Sequence, residues 1–321
     1  MNTGSVYYSI NLLRRIGYIR FSFGLMFFLI SRWNLLIETA FPSLSTYIHK
    51  ETERTIPVND YSMIVDLKKK GIHRDLYMHS IREPYSTTFI KGIISKEYQI
   101  IDIGANIGYY AVLESKLARE GVVYAIEPVS QNMSMLSKNL ELNECNNVSV
   151  FQCAVSDRIG KGTIFVHEMP NWSSLIRPSS GRVVAEVEVF LETIDDFIEK
   201  NVNGYPNLIR MDIEGLEYEA MLGARDFLEN CVNSWIAVEL HLLPRDKMDI
   251  LLRLLRENGF NIEAIFVEPC SYEMRCATFL NELRKLAGFP EYGFAGRNYE
   301  DLEKVLRTNT RPCHVFFKKQ D

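Results

Sequence analysis

Paired cysteines are missing from this chain of 321 residues. Its six cysteines, Cys145, Cys153, Cys231, Cys270, Cys276 and Cys313, form no C-x-x-C pair. That argues against a zinc ribbon and offers no disulfide framework. A reducing, cytoplasmic compartment is the expectation. An excess of positive charge is also missing. The net charge is −5, so a nucleic-acid partner has no global electrostatic support. Internal repeats, low-complexity tracts and a G-x-G-x-x-G string are absent. The longest apolar run, 21–30, falls short of the roughly 20 residues that cross a bilayer. What is present is the balance of a globular chain with a sizeable core: 47% hydrophobic and 24% charged residues. The length allows one large domain, or one domain with an extension.

The first 56 residues differ from the rest. Arg14, Arg15 and Arg20 precede the 21–30 run, and Arg32 and Asn34 interrupt it. Helices that pack on the main domain or on a second subunit are the expectation. The same pattern also suits a peripheral membrane helix with arginines at the headgroups. From 57 to 321 we expect one domain. A strand at 62–67 and a turn at Lys68-Lys69-Lys70-Gly71 lead into it. His73, among polar neighbours, reads as a solvated loop histidine.

From Tyr98 onward strand and helix alternate. Strands are expected at 99–103, 122–126, 148–152, 207–211, 234–238 and 262–267, with a last one at 314–317. Near-continuous apolar strands joined by helices imply a parallel sheet buried on both faces. One helix runs from Ile107 to Glu120. Another carries Leu216, Ala220, Ala224 and Phe227 on one side. A third has Met248, Leu251, Leu252 and Leu255 at i, i+3, i+4 and i+7, and Gly259 closes it. The stretch 160–190 breaks the alternation with β-like segments, and reads as an insertion near the ligand face. Residues 268–310 read as a long, mainly helical connection.

The centre of the pattern is Ile101-Asp102-Ile103-Gly104-Ala105-Asn106-Ile107-Gly108. It reads as strand, tight turn, helix, and its glycines permit a close backbone approach to a ligand. In a dinucleotide fold this turn faces a pyrophosphate. A carboxylate about 4 Å from a phosphate costs roughly 4 kcal/mol at an effective dielectric near 20. Asp102 therefore suits a cationic ligand such as S-adenosyl-L-methionine better than NAD.

In open parallel sheets, ligands bind beyond the carboxyl ends of the strands. Polar residues collect there: Asp102, Glu127, Ser156 with Asp157, Asp212 with Glu214, and Glu239 with His241. Each is also a candidate helix N-cap, but so many on one edge exceed what capping requires. Glu127 stands where a carboxylate accepts hydrogen bonds from ribose hydroxyls.

Residues 97–245 resemble the FkbM family of S-adenosylmethionine-dependent methyltransferases. The resemblance rests on the glycine turn, Tyr124-Ala125-Ile126-Glu127-Pro128, Asn139-Leu140-Glu141-Leu142-Asn143 and Ala154-Val155-Ser156-Asp157. It rests above all on Met211-Asp212-Ile213-Glu214-Gly215-Leu216-Glu217 and Val238-Glu239-Leu240-His241, with Glu83-Pro84 fitting the lead-in. Arg210 departs from the lysine usual before D-x-E-G. The resemblance implies an α/β, Rossmann-like class I methyltransferase fold: seven mostly parallel strands with helices on both faces. It also implies methyl transfer to a hydroxyl of a sugar, glycan, glycolipid or other small-molecule natural product. Carried over, Asp102, Gly104, Ala105, Asn106 and Gly108 hold the methionine part. Glu127, followed by Pro128, binds the ribose, and Ala154, Ser156 and Asp157 lie near the adenine.

Catalysis is expected to depend on Asp212, Glu214, Glu239 and His241. His241 is the best base by its unperturbed pKa, and Asp212 is its main competitor. Asp212 and Glu239 are alternatively ligands for a divalent metal that acidifies a hydroxyl. In the bland reading, Glu239 and His241 cap the helix after Pro244. Two rival functions stand beside the leading one: a non-catalytic binding module and an NAD-dependent oxidoreductase.

Overall fold

A computed structural model describes residues 52–167, 174–175, 183–269, 292–309 and 311–320. The basic and apolar N-terminal stretch, Cys270, Cys276 and most of the 268–310 connection lie outside the described residues. No helix among the described residues is long and apolar enough to cross a membrane.

The lead-in is a hairpin of β1 (Glu53–Val58) and β2 (Tyr61–Asp66), followed by α1 (Ile72–His79) and α2 (Pro84–Ile93). The hairpin begins at Glu53, so the expected boundary at 56 falls inside a strand. His73 is buried on α1, where its Nδ1 accepts a hydrogen bond from the Asp66 backbone at 3.1 Å. It is a core histidine, not a solvated one. Burial lowers its pKa to about 4.

The main sheet follows. Its parallel strands are β3 (Gln99–Ile103), β4 (Val122–Ile126), β5 (Val148–Phe151), β9 (Leu208–Met211) and β10 (Trp235–Leu240). Three antiparallel strands complete one side: β11 (Phe260–Val267), β12 (Gly293–Gly296) and β13 (Cys313–Lys319). Among the described residues the order is β12-β11-β13-β10-β9-β3-β4-β5. This is the expected Rossmann-like sheet, extended by one edge strand, β12, in the stretch expected to be mainly helical. Successive side chains of a strand face opposite ways. Ile100 and Ile101 accordingly enter two different cores, one on each face.

Helices α3 (Tyr109–Leu117) and α4 (Ser130–Leu142) lie after β3 and β4. The lead-in hairpin is fastened to α4 by two asparagines one turn apart. The buried Asn139 accepts from the Ile64 amide at 2.6 Å and donates to the Ile107 carbonyl at 2.8 Å. Asn143 accepts from the Ser62 amide and donates to the Ser62 carbonyl. The amides thus satisfy an edge strand that would otherwise leave polar backbone unpaired.

The 160–190 insertion is a small sheet. In it, β8 (Val183–Glu192) pairs with both β6 (Ala154–Val155) and β7 (Gly160–His167). Next come α5 (Ile194–Asn201), α6 (Glu217–Leu222) and α7 (Arg225–Asn230). One helix was expected from Leu216 to Phe227, but two form. The Asp195 carboxylate accepts from the Asp226 and Phe227 amides and so starts α7 afresh. The break brings Gly223 against the Ser156 carbonyl, where a Cβ would lie 2.4 Å from that oxygen. Helices α8 (Arg245–Glu257) and α9 (Tyr299–Thr308) complete the fold, with Met248, Leu251, Leu252 and Leu255 buried as expected.

Candidate active site

The turn after β3 folds back on its neighbour: the Gly104 and Ala105 amides both donate to the Ile126 carbonyl, at 2.9 and 3.0 Å. Gly104 has φ +83, and a Cβ there would lie 2.0 Å from the Asp212 carbonyl oxygen. Both the left-handed backbone and the close approach demand glycine. Gly108, at φ +92, meets the Leu136 side chain in the same way. The turn is therefore pressed directly against the end of β9.

A cleft opens beside this turn. Gly104, Asn106, Glu127, Pro128, Ala154, Asp212 and Glu214 line it. Buried Glu127 ties the turn together. One carboxylate oxygen accepts from the Val129 amide at 2.9 Å and the Asn132 amide group at 3.1 Å, and the other accepts from the Asn106 amide at 2.9 Å. Burial pushes its carboxyl up to about 7 against these bonds. The Asn106 Oδ1 is buried with no partner among the described residues. An ammonium group fits there, because it would satisfy a stranded acceptor. The second lone pair on the Glu127 oxygen that Asn106 binds fits a ribose hydroxyl. On these two observations the residues fit an adenosyl amino acid.

The cavity wall does not include Asp102, Ala105, Gly108, Ser156 or Asp157. Asp102 was expected to hold the methionine part of the ligand. It is instead fully buried within β3, and its Oδ1 accepts from Arg210 Nη1 at 2.8 Å. Paired with Arg210 and outside the cleft wall, Asp102 does not face a ligand bound there; Glu127, Asp212 and Glu214 line the cleft instead. Asp157 is exposed and pairs with Arg158, while Ser156 is held by backbone pairing with Glu192. Glu127 is buried as well.

Beyond the cavity the acids of β9 and β10 meet the lead-in. Arg210 spans Asp102 and Asp212, its second nitrogen 3.6 Å from Asp212 Oδ2, and lies 3.7 Å over the Tyr110 ring. A planar fork serves two carboxylates and a ring face in a way a lysine point charge does not. Arg82 approaches Asp212 Oδ2 at 3.7 Å from the other side. Burial, with Glu239 adding repulsion, still pushes the Asp212 carboxyl up to about 7, against both arginines.

His241 lies between two carboxylates. Its Nδ1 is 2.8 Å from Glu217 Oε1 and its Nε2 is 3.1 Å from Glu214 Oε2. Burial alone would lower its pKa, but the bonds to Glu214 and Glu217 outweigh it and hold the imidazole well above its ordinary range. A carboxylate at each ring nitrogen favours the imidazolium form, in which both nitrogens donate. This is not the free base that its unperturbed pKa implied. Nor does it cap α8, whose N-cap, Pro244, carries no side-chain hydrogen bond. Glu239 lies inside β10, cross-strand from His314 on β13, and the two side chains approach at 4.0 Å.

Five residues of this cluster were not expected as site members: Arg82, Glu83, Arg210, Glu217 and His314. Glu83 sits at φ +48, bonded to Arg82 and to the Tyr110 hydroxyl. Glu217 was visible only as the last letter of a motif. Two groups of ligand atoms among the described residues lie within 4.8 Å of one another: Glu83, Glu239 and His314, and Asp212, Glu214 and His241. Asp212 and Glu239, expected as joint metal ligands, fall in different groups.

The family model described as Methyltransferase FkbM domain matches residues 102–262, half the chain. The chain belongs to the FkbM methyltransferase family. Methyltransferase 1 of Beauveria bassiana (strain ARSEF 2860) is 24% identical over 145 residues, which span 40% of this chain and 58% of that protein. Methyltransferase sdnD of Sordaria araneosa is 26% identical over 192 residues, 51% of this chain and 73% of that one. Among solved structures, M. jannaschii TYW2 in complex with AdoMet superposes with a TM-score of 0.43 at 13% identity, covering 84% of this chain and 88% of that one.

Proposed function

We propose that this FkbM-family protein transfers a methyl group from S-adenosylmethionine to a hydroxyl of a sugar, glycolipid or other small natural-product acceptor. One observation carries the reading. The same cleft is lined by Asn106, whose Oδ1 is stranded among the described residues, by Glu127, and by Asp212, a carboxyl pushed up to about 7. When bound, the sulfonium cofactor supplies an electrophilic methyl group. Asn106 accepts from its ammonium and Glu127 from its ribose. Asp212, flanked by Arg82 and Arg210, takes the acceptor's hydroxyl proton, since a base works best with a pKa near the working pH. His241, as an imidazolium, holds Glu214 and Glu217 in place and does not abstract the proton. The carboxyl-rich surroundings favour a neutral acceptor and disfavour a phosphorylated one.

Calorimetry with S-adenosylhomocysteine and NAD tests the cofactor side. Heat from NAD and none from S-adenosylhomocysteine would overturn the reading. Labelled S-adenosylmethionine added to extracts of the source organism, followed by identification of the labelled product, tests the acceptor side. A label on nitrogen or carbon would replace the hydroxyl.

A further inference from the structure

One wall of the cavity comes from the small sheet. Ser174 and Leu175, between β7 and β8, line it together with Ile164. Ser174 is buried and pairs through its backbone with Phe165, whose amide donates to the Ser174 carbonyl at 2.9 Å. Leu175 packs with Ile164, Val189 and Leu191. It also closes over Gly162, where a Cβ would lie 3.1 Å from Leu175 Cδ2. The apolar Ile126, Val129 and Val155 line the same cleft, together with the polar Glu127 and Asn132. A flat ring with polar edges matches that surface.

A separate contact crosses to the acid end. The Ser174 hydroxyl donates to the Glu214 carbonyl at 3.0 Å. Glu214 is a non-glycine residue at φ +53, a conformation that persists only when its surroundings hold it. Its carboxylate is the one that meets His241 Nε2.

We propose that Leu175 binds the adenine ring of the adenosyl cofactor, and that Ser174 is a positioning residue that fixes Glu214 against His241. The proposal rests on the reading of the cavity as the cofactor site. Calorimetric titration with S-adenosylhomocysteine and with 5′-methylthioadenosine, which lacks the amino acid, tests the first half. Leu175→Ala should weaken both by the same factor, about 5-fold to 10-fold, through lost apolar contact. Unchanged affinity for both, or a loss confined to S-adenosylhomocysteine, overturns it. Failure of the wild-type protein to bind either ligand overturns the cavity reading itself, and this proposal with it. A measurement on unaltered protein guards against a misfolded variant. The Leu175 methyl resonances, assigned through Leu175→Met, should shift by ring current when 5′-methylthioadenosine is added; unmoved resonances overturn the contact. For the second half, Ser174→Ala should move the imidazole nitrogen resonances of His241, and Ser174→Thr should restore them. Unchanged resonances in Ser174→Ala overturn the positioning role.

Discussion

At the glycine-turn end of the cavity most polar groups have fixed partners within a short span of chain. At the acid end carboxyls outnumber cations, and their partners come from distant segments. Glu127 and Asp212 make the comparison sharp, because both carboxyls are pushed up to about 7. Glu127 reaches that value by burial while accepting three hydrogen bonds, two of them from backbone amides, so its geometry is locked. Asp212 reaches it by burial plus repulsion from Glu239, with arginines no nearer than 3.6 Å. Under the proposed function, one end holds the ligand still and the other exchanges a proton.

The largest expected effect breaks the chemical end alone. Asp212→Asn keeps the shape and removes the base, and should cut turnover about 10²-fold to 10⁴-fold. Affinity for S-adenosylhomocysteine, read by calorimetry, should stay nearly constant. Parallel loss of both would mean that the two ends are not separable. Gly104→Ala attacks the holding end: its Cβ would collide with the Asp212 carbonyl, so cofactor binding should be lost. Gly204→Ala is the matched control, since Gly204 has a similar φ of +78 and open space around it. It should cost about 1 kcal/mol of stability and leave binding intact.

Asn139→Ala probes the support behind the turn. It strands the Ile64 amide and the Ile107 carbonyl, and should destabilise the protein by about 1–3 kcal/mol in urea unfolding.

The pH dependence of stability and of turnover should run in opposite directions through Asp212. Its folded pKa, about 7, lies above the ordinary 3.8, so the folded state binds the proton more tightly. Its contribution to stability is fully present below about 3.8 and is lost as pH rises through about 7. Turnover should rise over the upper part of that window, as the base ionises. Asp212→Asn should flatten the stability slope relative to wild type; an unchanged slope would remove Asp212 as the titrating group. The smallest expected effect is that of a chelator. Both His241 nitrogens are engaged by carboxylates, so EDTA should leave turnover unchanged. A loss reversed by Mg²⁺ would reassign Asp212, Glu214 and His241 as ligands.

What was legible in the sequence was local. The turn at Gly104 and Gly108, the strand positions and the buried face of α8 follow from backbone freedom and side-chain periodicity within a few residues. The insertion's two long strands were legible for the same reason. Edge strand β12, which contains two glycines at positive φ in its four residues, had no such signature. The split between α6 and α7 depends on Asp195, which is remote from both. Asp102 illustrates the limit best. Its place at the end of an apolar strand was plain, but its direction was not. The parallel register sets it beside Arg210, and that pair takes it out of the cavity.

By itself the sequence determined the parallel strands, the buried face of α8 and the glycine turn, because each depends on neighbours along the chain. The tertiary structure decided which acids face the cavity and which are neutralised, and that His241 is favoured as a cation between Glu214 and Glu217. It also decided that Arg82, Glu83 and His314 join residues of β9 and β10. Charge state and partner choice depend on burial and on distances between segments from two dozen to more than a hundred residues apart, and neither is written in local spacing.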